Sequence, residues 1–171
     1  MALRMKLITG VVAGALLAIS GSAALFAQEM PSKITDPAKA AATAKERGEY
    51  MDKTLGANEK ILRAVMSGEA PLDAKAVAAA EKIHASSSAK EILSHFAPGT
   101  GDDVVKDTRA RALIWNEWDK VQALAAAVQP ATAAALAAAK AVDQKAFAEK
   151  EQVAVNACNA CHKQYRAPRQ R

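Results

Sequence analysis

The chain has 171 residues, a formal charge of +5 and only two cysteines. That charge is mild, and no basic stripe with interleaved aromatics accompanies it, which argues against nucleic acid as a partner. Alanine, leucine, lysine and glutamate dominate, while β-branched and aromatic residues are scarce, so helix is favoured nearly everywhere and no stretch reads as a strand.

The first element is a leader. Arg4 and Lys6 form a basic start, and Leu7 to Ile19 is an uncharged apolar run, the pattern of a secretory signal peptide over residues 1–27. Gly10, Gly14, Ser20 and Gly21 interrupt the run and keep it short of a comfortable bilayer span, so stable membrane insertion is not expected. The junction reads best between Ala27 and Gln28; cleavage after Ala23 or Ala24 stays open, because Leu25 is large for its place. Loss of Arg4 and Lys6 lowers the formal charge from +5 to +3, and residues 28–171 remain as one domain's worth of chain.

Four helical segments follow. Asp36-Pro37 is an N-cap with proline at the first helical position, and the helix it opens should end near Ser67-Gly68. Met51, Leu55, Asn58, Leu62 and Val65 recur at spacings of 4, 3, 4 and 3, one stripe of that helix. Gly48 and Gly56 weaken it locally and permit close approach of a flat group or a neighbour. A second helix is expected from about Asp73 to Ser94, frayed or bent at Ser86-Ser87-Ser88. Residues 97–103 form a long loop. The third helix carries Ile114, Trp118, Val121, Ala125, Val128, Thr132 and Ala135 as a heptad-like seam, with a kink or break expected at Pro130. Asp143 caps the last helix, which should run to about Arg166 with Phe147, Ala154, Cys158, Cys161 and Tyr165 on one side. Short connections and apolar seams predict an all-α, antiparallel four-helix bundle, a fold whose core is where cofactors are held.

The cofactor is announced by Cys158-Asn159-Ala160-Cys161-His162, the C-x-x-C-H pattern of covalent c-type haem attachment. Each thiol can add to one haem vinyl group, and the histidine directly after the second thiol is held as an axial iron ligand. On a helix, spacings of three and four put both sulfurs and the imidazole on one face. A thiol redox site would be expected near a βαβ pattern and a zinc site would need a second ligand pair; the sequence offers neither.

These residues resemble the class II cytochromes c, that is, cytochrome c prime and its low-spin relatives. Cys158 to Arg166 is similar to the family's closing block, Gly68-Glu69-Ala70-Pro71-Leu72-Asp73 to its first turn, and Phe96 to Thr100 to its loop before the third helix. Ile114-Trp115-Asn116-Glu117-Trp118 resembles that helix's opening. The resemblance implies a periplasmic four-helix protein with one covalently bound haem c per chain, frequently a homodimer, whose partners are redox proteins or small gases. It also implies that the sixth iron site faces the first helix: low-spin members place a methionine there, whereas cytochromes c prime leave iron five-coordinate behind an apolar side chain. Arg47 and Met51 are similar to the arginine and ligand positions of the low-spin members. Counting back from Gly68 without a gap lands on Asp52, so one inserted residue is assumed between Met51 and the turn, because an acid on the apolar stripe would be costly to bury.

The reading is therefore an electron carrier with His162 and Met51 on iron, Met51 being otherwise a gap-filling core methionine. The alternative is a five-coordinate cytochrome c prime that binds gases such as nitric oxide. Arg47 and Arg166 suit the haem propionates, or are solvated helix-end charges. His84 and His95 read as surface or capped residues, and Trp115 and Trp118 as core. Enzymatic turnover of a peroxidase kind would want a polar distal acid–base pair, which the alanine-rich seams do not offer, so no enzyme is expected.

Overall fold

The computed structural model describes residues 28–169. The leader assigned to residues 1–27 lies outside the described residues.

The first helix is built in three joined pieces: α1 (Pro37–Glu49), a π-helical turn (Tyr50–Gly56) and α2 (Ala57–Met66). It starts where expected, the Asp36 carboxylate accepting from Lys39 N–H at 2.7 Å with Pro37 first in the helix. It stops at Gly68, whose φ of +80° lies in the left-handed region that only glycine adopts freely. Its continuity hides the π turn, which gives no pattern of its own in sequence.

The second helix is divided as the serine run suggested. α3 (Ala74–Ala85) ends, and α4 (Ala89–Ser94) begins on Ser88, whose hydroxyl accepts from Glu91 N–H at 3.1 Å. The third helix consists of α5 (Leu113–Asn116), α6 (Trp118–Ala126) and α7 (Val128–Lys140). The break falls at Ala127, not at Pro130. Proline lacks the N–H that would bond Ala126, so the new helix starts just upstream and carries Pro130 in its first turn, where no N–H is needed. All seven seam residues from Ile114 to Ala135 are buried. α8 (Gln144–Tyr165) is capped by Asp143, which accepts from Ala146 N–H at 2.9 Å.

α2 packs on α3, α3 on α7, α7 on α8, and α8 back on α2, closing the ring of an antiparallel bundle. The core divides along the bundle's length. One cluster joins Leu62, Val65, Ala76, Ala79, Ala80, Ile83, Ala139 and Phe147; the other joins Leu93, Ala110, Ile114, Trp118, Val121, Ala125 and Tyr165, with Trp115, Phe96 and Cys161 packed against it. Beyond α8 the chain is held by an antiparallel bridge between Ala110 and Arg166, in which Arg111 N–H donates to Tyr165 O at 3.0 Å and Ala167 N–H to Arg109 O at 2.8 Å. At the other terminus Trp118 Nε1 donates to Gln28 O at 3.0 Å, and Gln28 N–H donates to Gln122 Oε1.

Candidate haem-attachment site

Cys158, Cys161 and His162 occupy one face of the last turns of α8, all three half-buried, and the two cysteines are not joined in a disulfide. Burial pushes the Cys158 thiol up to about 11, with Glu59 and Glu151 adding to the effect, and raises Cys161 as well. His162 is pushed down to about 4, first by burial and then by the charges of Arg166 and Arg109. Its imidazole is therefore neutral at ordinary pH, the form that binds iron.

The first helix runs antiparallel beside this face. Gln144 Nε2 donates to Val65 O at 2.8 Å, Glu59 meets Glu151, and Asp52 acts on the charge of Arg166. That register carries the turn holding Met51 toward the end of α8 that bears His162. Met51 is half-buried and Asp52 is exposed. Met51 lies in the π turn, whose hydrogen bonds close on the fifth residue and so hold one residue more than α turns do. Gly56 permits it, since a Cβ there would lie 3.0 Å from Met51 O. Of the stripe, Leu62 and Val65 are fully buried and Met51, Leu55 and Asn58 half-buried.

Arg47 is 4% exposed, so it is no solvated helix-end charge. Its Nη1 donates to Thr100 Oγ1 at 2.7 Å, and its Nη2 to Thr100 O at 2.7 Å and Thr108 Oγ1 at 2.8 Å; the guanidinium carbon stands 5.1 Å from the Phe96 ring centroid. Burial lowers it to about 10, leaving it cationic at neutral pH. No carboxylate of the described residues is within ion-pair range of it. Arg166 is exposed, its affinity for a proton lowered by partial burial and by Arg109 and Arg169. Trp118 is buried, and Trp115 is half-buried with its Nε1 unpartnered. His84 Nδ1 lies 3.3 Å from Thr132 Oγ1, and His95 stacks on Tyr50 with centroids 3.9 Å apart; both are half-buried.

A haem c fits this donor set. Two thiols and a neutral imidazole share a helix face, and a buried cation and an unpartnered indole N–H stand at the same end of the bundle, where carboxylates would satisfy them. Unforeseen from sequence were Glu151, buried on the same face as Phe147, Ala154 and Cys158, and its partner Glu59. Its spacing of four from Phe147 and three from Ala154 was the available signal.

Comparison with known proteins agrees with this architecture. The model of the family described as Cytochrome C' matches residues 42–166. A curated cytochrome c' of Cereibacter sphaeroides is 38% identical over 112 residues, covering 63% of this chain and 72% of the relative. The solved cytochrome c' of the organism given as Rhodobacter spheriodes superposes with a TM-score of 0.69 at 34% identity, over 76% of this chain and 98% of that one. A carbon-monoxide-bound variant of cytochrome c prime from Alcaligenes xylosoxidans shares the fold, with a TM-score of 0.61 at 24% identity over 80% of this chain and 100% of that one. The chain belongs to the cytochrome c' family, and so to the class II c-type cytochromes, four-helix bundles that carry covalently attached haem c.

Proposed function

We propose that the protein is a periplasmic, non-enzymatic haem protein that binds small diatomic gases on the side of the iron opposite His162. Cys158 and Cys161 hold the haem through thioether bonds, His162 supplies one axial ligand, and Arg47 and Arg166 serve the propionates. The bound haem supplies a redox-active iron with an open or exchangeable sixth site. The observation that carries the reading is the shared face of Cys158, Cys161 and His162 in a chain whose family match is to cytochrome c'. This moves the emphasis from electron carriage to the gas-binding alternative, with Met51 as the apolar wall of the gas pocket.

Electron transfer with His162 and Met51 both on iron is the second reading, supported by the antiparallel register that carries the turn holding Met51 toward the end of α8. Visible spectra separate the two. High-spin ferric iron and prompt uptake of carbon monoxide by the ferrous protein support gas binding. Low-spin ferric iron with a methionine–iron charge-transfer band, lost in Met51→Leu, supports the electron carrier and overturns the first reading.

A further inference from the structure

Glu151 is the one carboxyl buried in the core of α8, at 2% exposure, and the attachment chemistry does not use it. It faces Glu59 of α2, which acts on its proton affinity, and Glu59 is in turn held by Arg63, whose Nε donates to Glu59 Oε1 at 2.6 Å. Two carboxylates in contact in an apolar seam cannot both be ionised cheaply, while one protonated and one ionised carboxyl share the proton in a hydrogen bond. The arrangement therefore reads Arg63 cation, Glu59 carboxylate, Glu151 acid. Burial first, then the hydrogen bond and charge of Glu59, push Glu151 up to about 8. Along α8 the pair faces Cys158, two turns away. α7, on the other flank, has a single charged residue, Lys140, which is tied to Glu81 at 2.8 Å. On α6, Asp119 and Lys120 are both exposed, with Lys120 paired to Glu117.

We propose that the Glu59–Glu151 pair is a proton-binding site linked to the haem, releasing a proton when the iron is oxidised and recovering it on reduction. This rests on the haem held at Cys158 and Cys161, and on neither reading of the sixth ligand. On oxidation the electron leaves to a one-electron acceptor, the Glu151 O–H bond breaks, its electron pair stays on the carboxylate, and the proton goes to solvent. Reduction reverses each movement. Seven residues of helix separate Glu151 from the attachment point, about 10 Å along the axis. A unit charge at that range, acting through an effective dielectric of about 20, changes proton affinity by roughly tenfold.

The test is a spectroelectrochemical titration of the holoprotein from about pH 5 to about pH 10, native and Glu151→Gln, spanning carboxyl values from normal to strongly raised. The native potential should fall by about 59 mV, the equivalent of that tenfold change, through a window near pH 8. Glu151→Gln should be flat there and lie on the native acid limb. An undiminished fall in Glu151→Gln overturns the proposal. Glu59→Gln should move the window to lower pH, since the charge that holds the proton on Glu151 is gone; an unmoved window also overturns it. Reduced-minus-oxidised infrared spectra of the native protein should show a protonated-carboxyl band that is absent in Glu151→Gln, and a native spectrum without one refutes the proton site whether or not the variants fold. Native protein without covalent haem overturns the haem reading itself, whereas covalent haem with a potential insensitive to Glu151 overturns this proposal alone.

Discussion

The two ends of the bundle solve the same packing problem with different materials. At the end around Phe147, Leu62 and Ile83, small alanines on α3 and α7 let the helices approach and a few large apolar side chains fill the centre. At the other end the stripe of the first helix is only half-buried, and the interior holds a guanidinium, an unpartnered indole N–H, two thiols and an imidazole. The contrast teaches where stability and chemistry have been separated: one end folds the chain by burial alone, and the other is completed by a group that can accept polar donors.

That contrast can be broken from either side. Phe147 is 0% exposed, and Phe147→Ala should cost about 3–5 kcal/mol in denaturant unfolding, with the haem-binding spectrum of the folded fraction unchanged. The Cys158→Ser/Cys161→Ser double variant should abolish haem staining on a denaturing gel while leaving the aliphatic end ordered; a haem-stained band from it would sink the attachment assignment. Arg47→Ala removes a buried hub with three hydrogen bonds and should cost on the order of 3 kcal/mol, read as early loss of hydrogen-exchange protection in residues 100–108.

The pH dependence sharpens the comparison. Glu151 has a folded value raised above that of the unfolded chain, so the folded state holds more protons and its stability declines as pH rises from about 4.5 to about 8. Glu151→Gln should flatten that decline and be the more stable protein at the alkaline end, as measured by guanidinium midpoints. The smallest expected effect is at the turn into α8, where Val142 is 66% exposed and sits at φ +53°, a conformation that strains a β-branched residue. Val142→Gly should raise stability by about 1 kcal/mol.

Much of this architecture is legible in residue order because it depends on local rules. The carboxylates of Asp36 and Asp143 sit next to free N–H groups, Ser88 restarts a helix after a serine run, and the seam from Ile114 to Ala135 keeps one face by spacing alone. Pro130 misled by three residues because a proline is most comfortable just inside a helix start, so the break lies upstream of it. The π turn was not foreseen, because an added residue changes hydrogen-bond closure, not composition. Arg47 and Glu151 escaped for a different reason. Whether a charged side chain is buried depends on partners supplied by distant segments, Thr100 and Thr108 for one and Glu59 for the other, and neither pairing leaves a trace in nearby sequence.

Both tryptophans gather at the end that carries Cys161, Trp118 inside that cluster and Trp115 packed against it. A porphyrin in the same cluster absorbs where indoles emit, so the loaded, folded protein is expected to be almost dark under ultraviolet excitation. Emission would then report two distinct events, a chain that never acquired its haem and a chain in which the end carrying Cys161 has opened, and a haem-stain measurement on the same sample separates them.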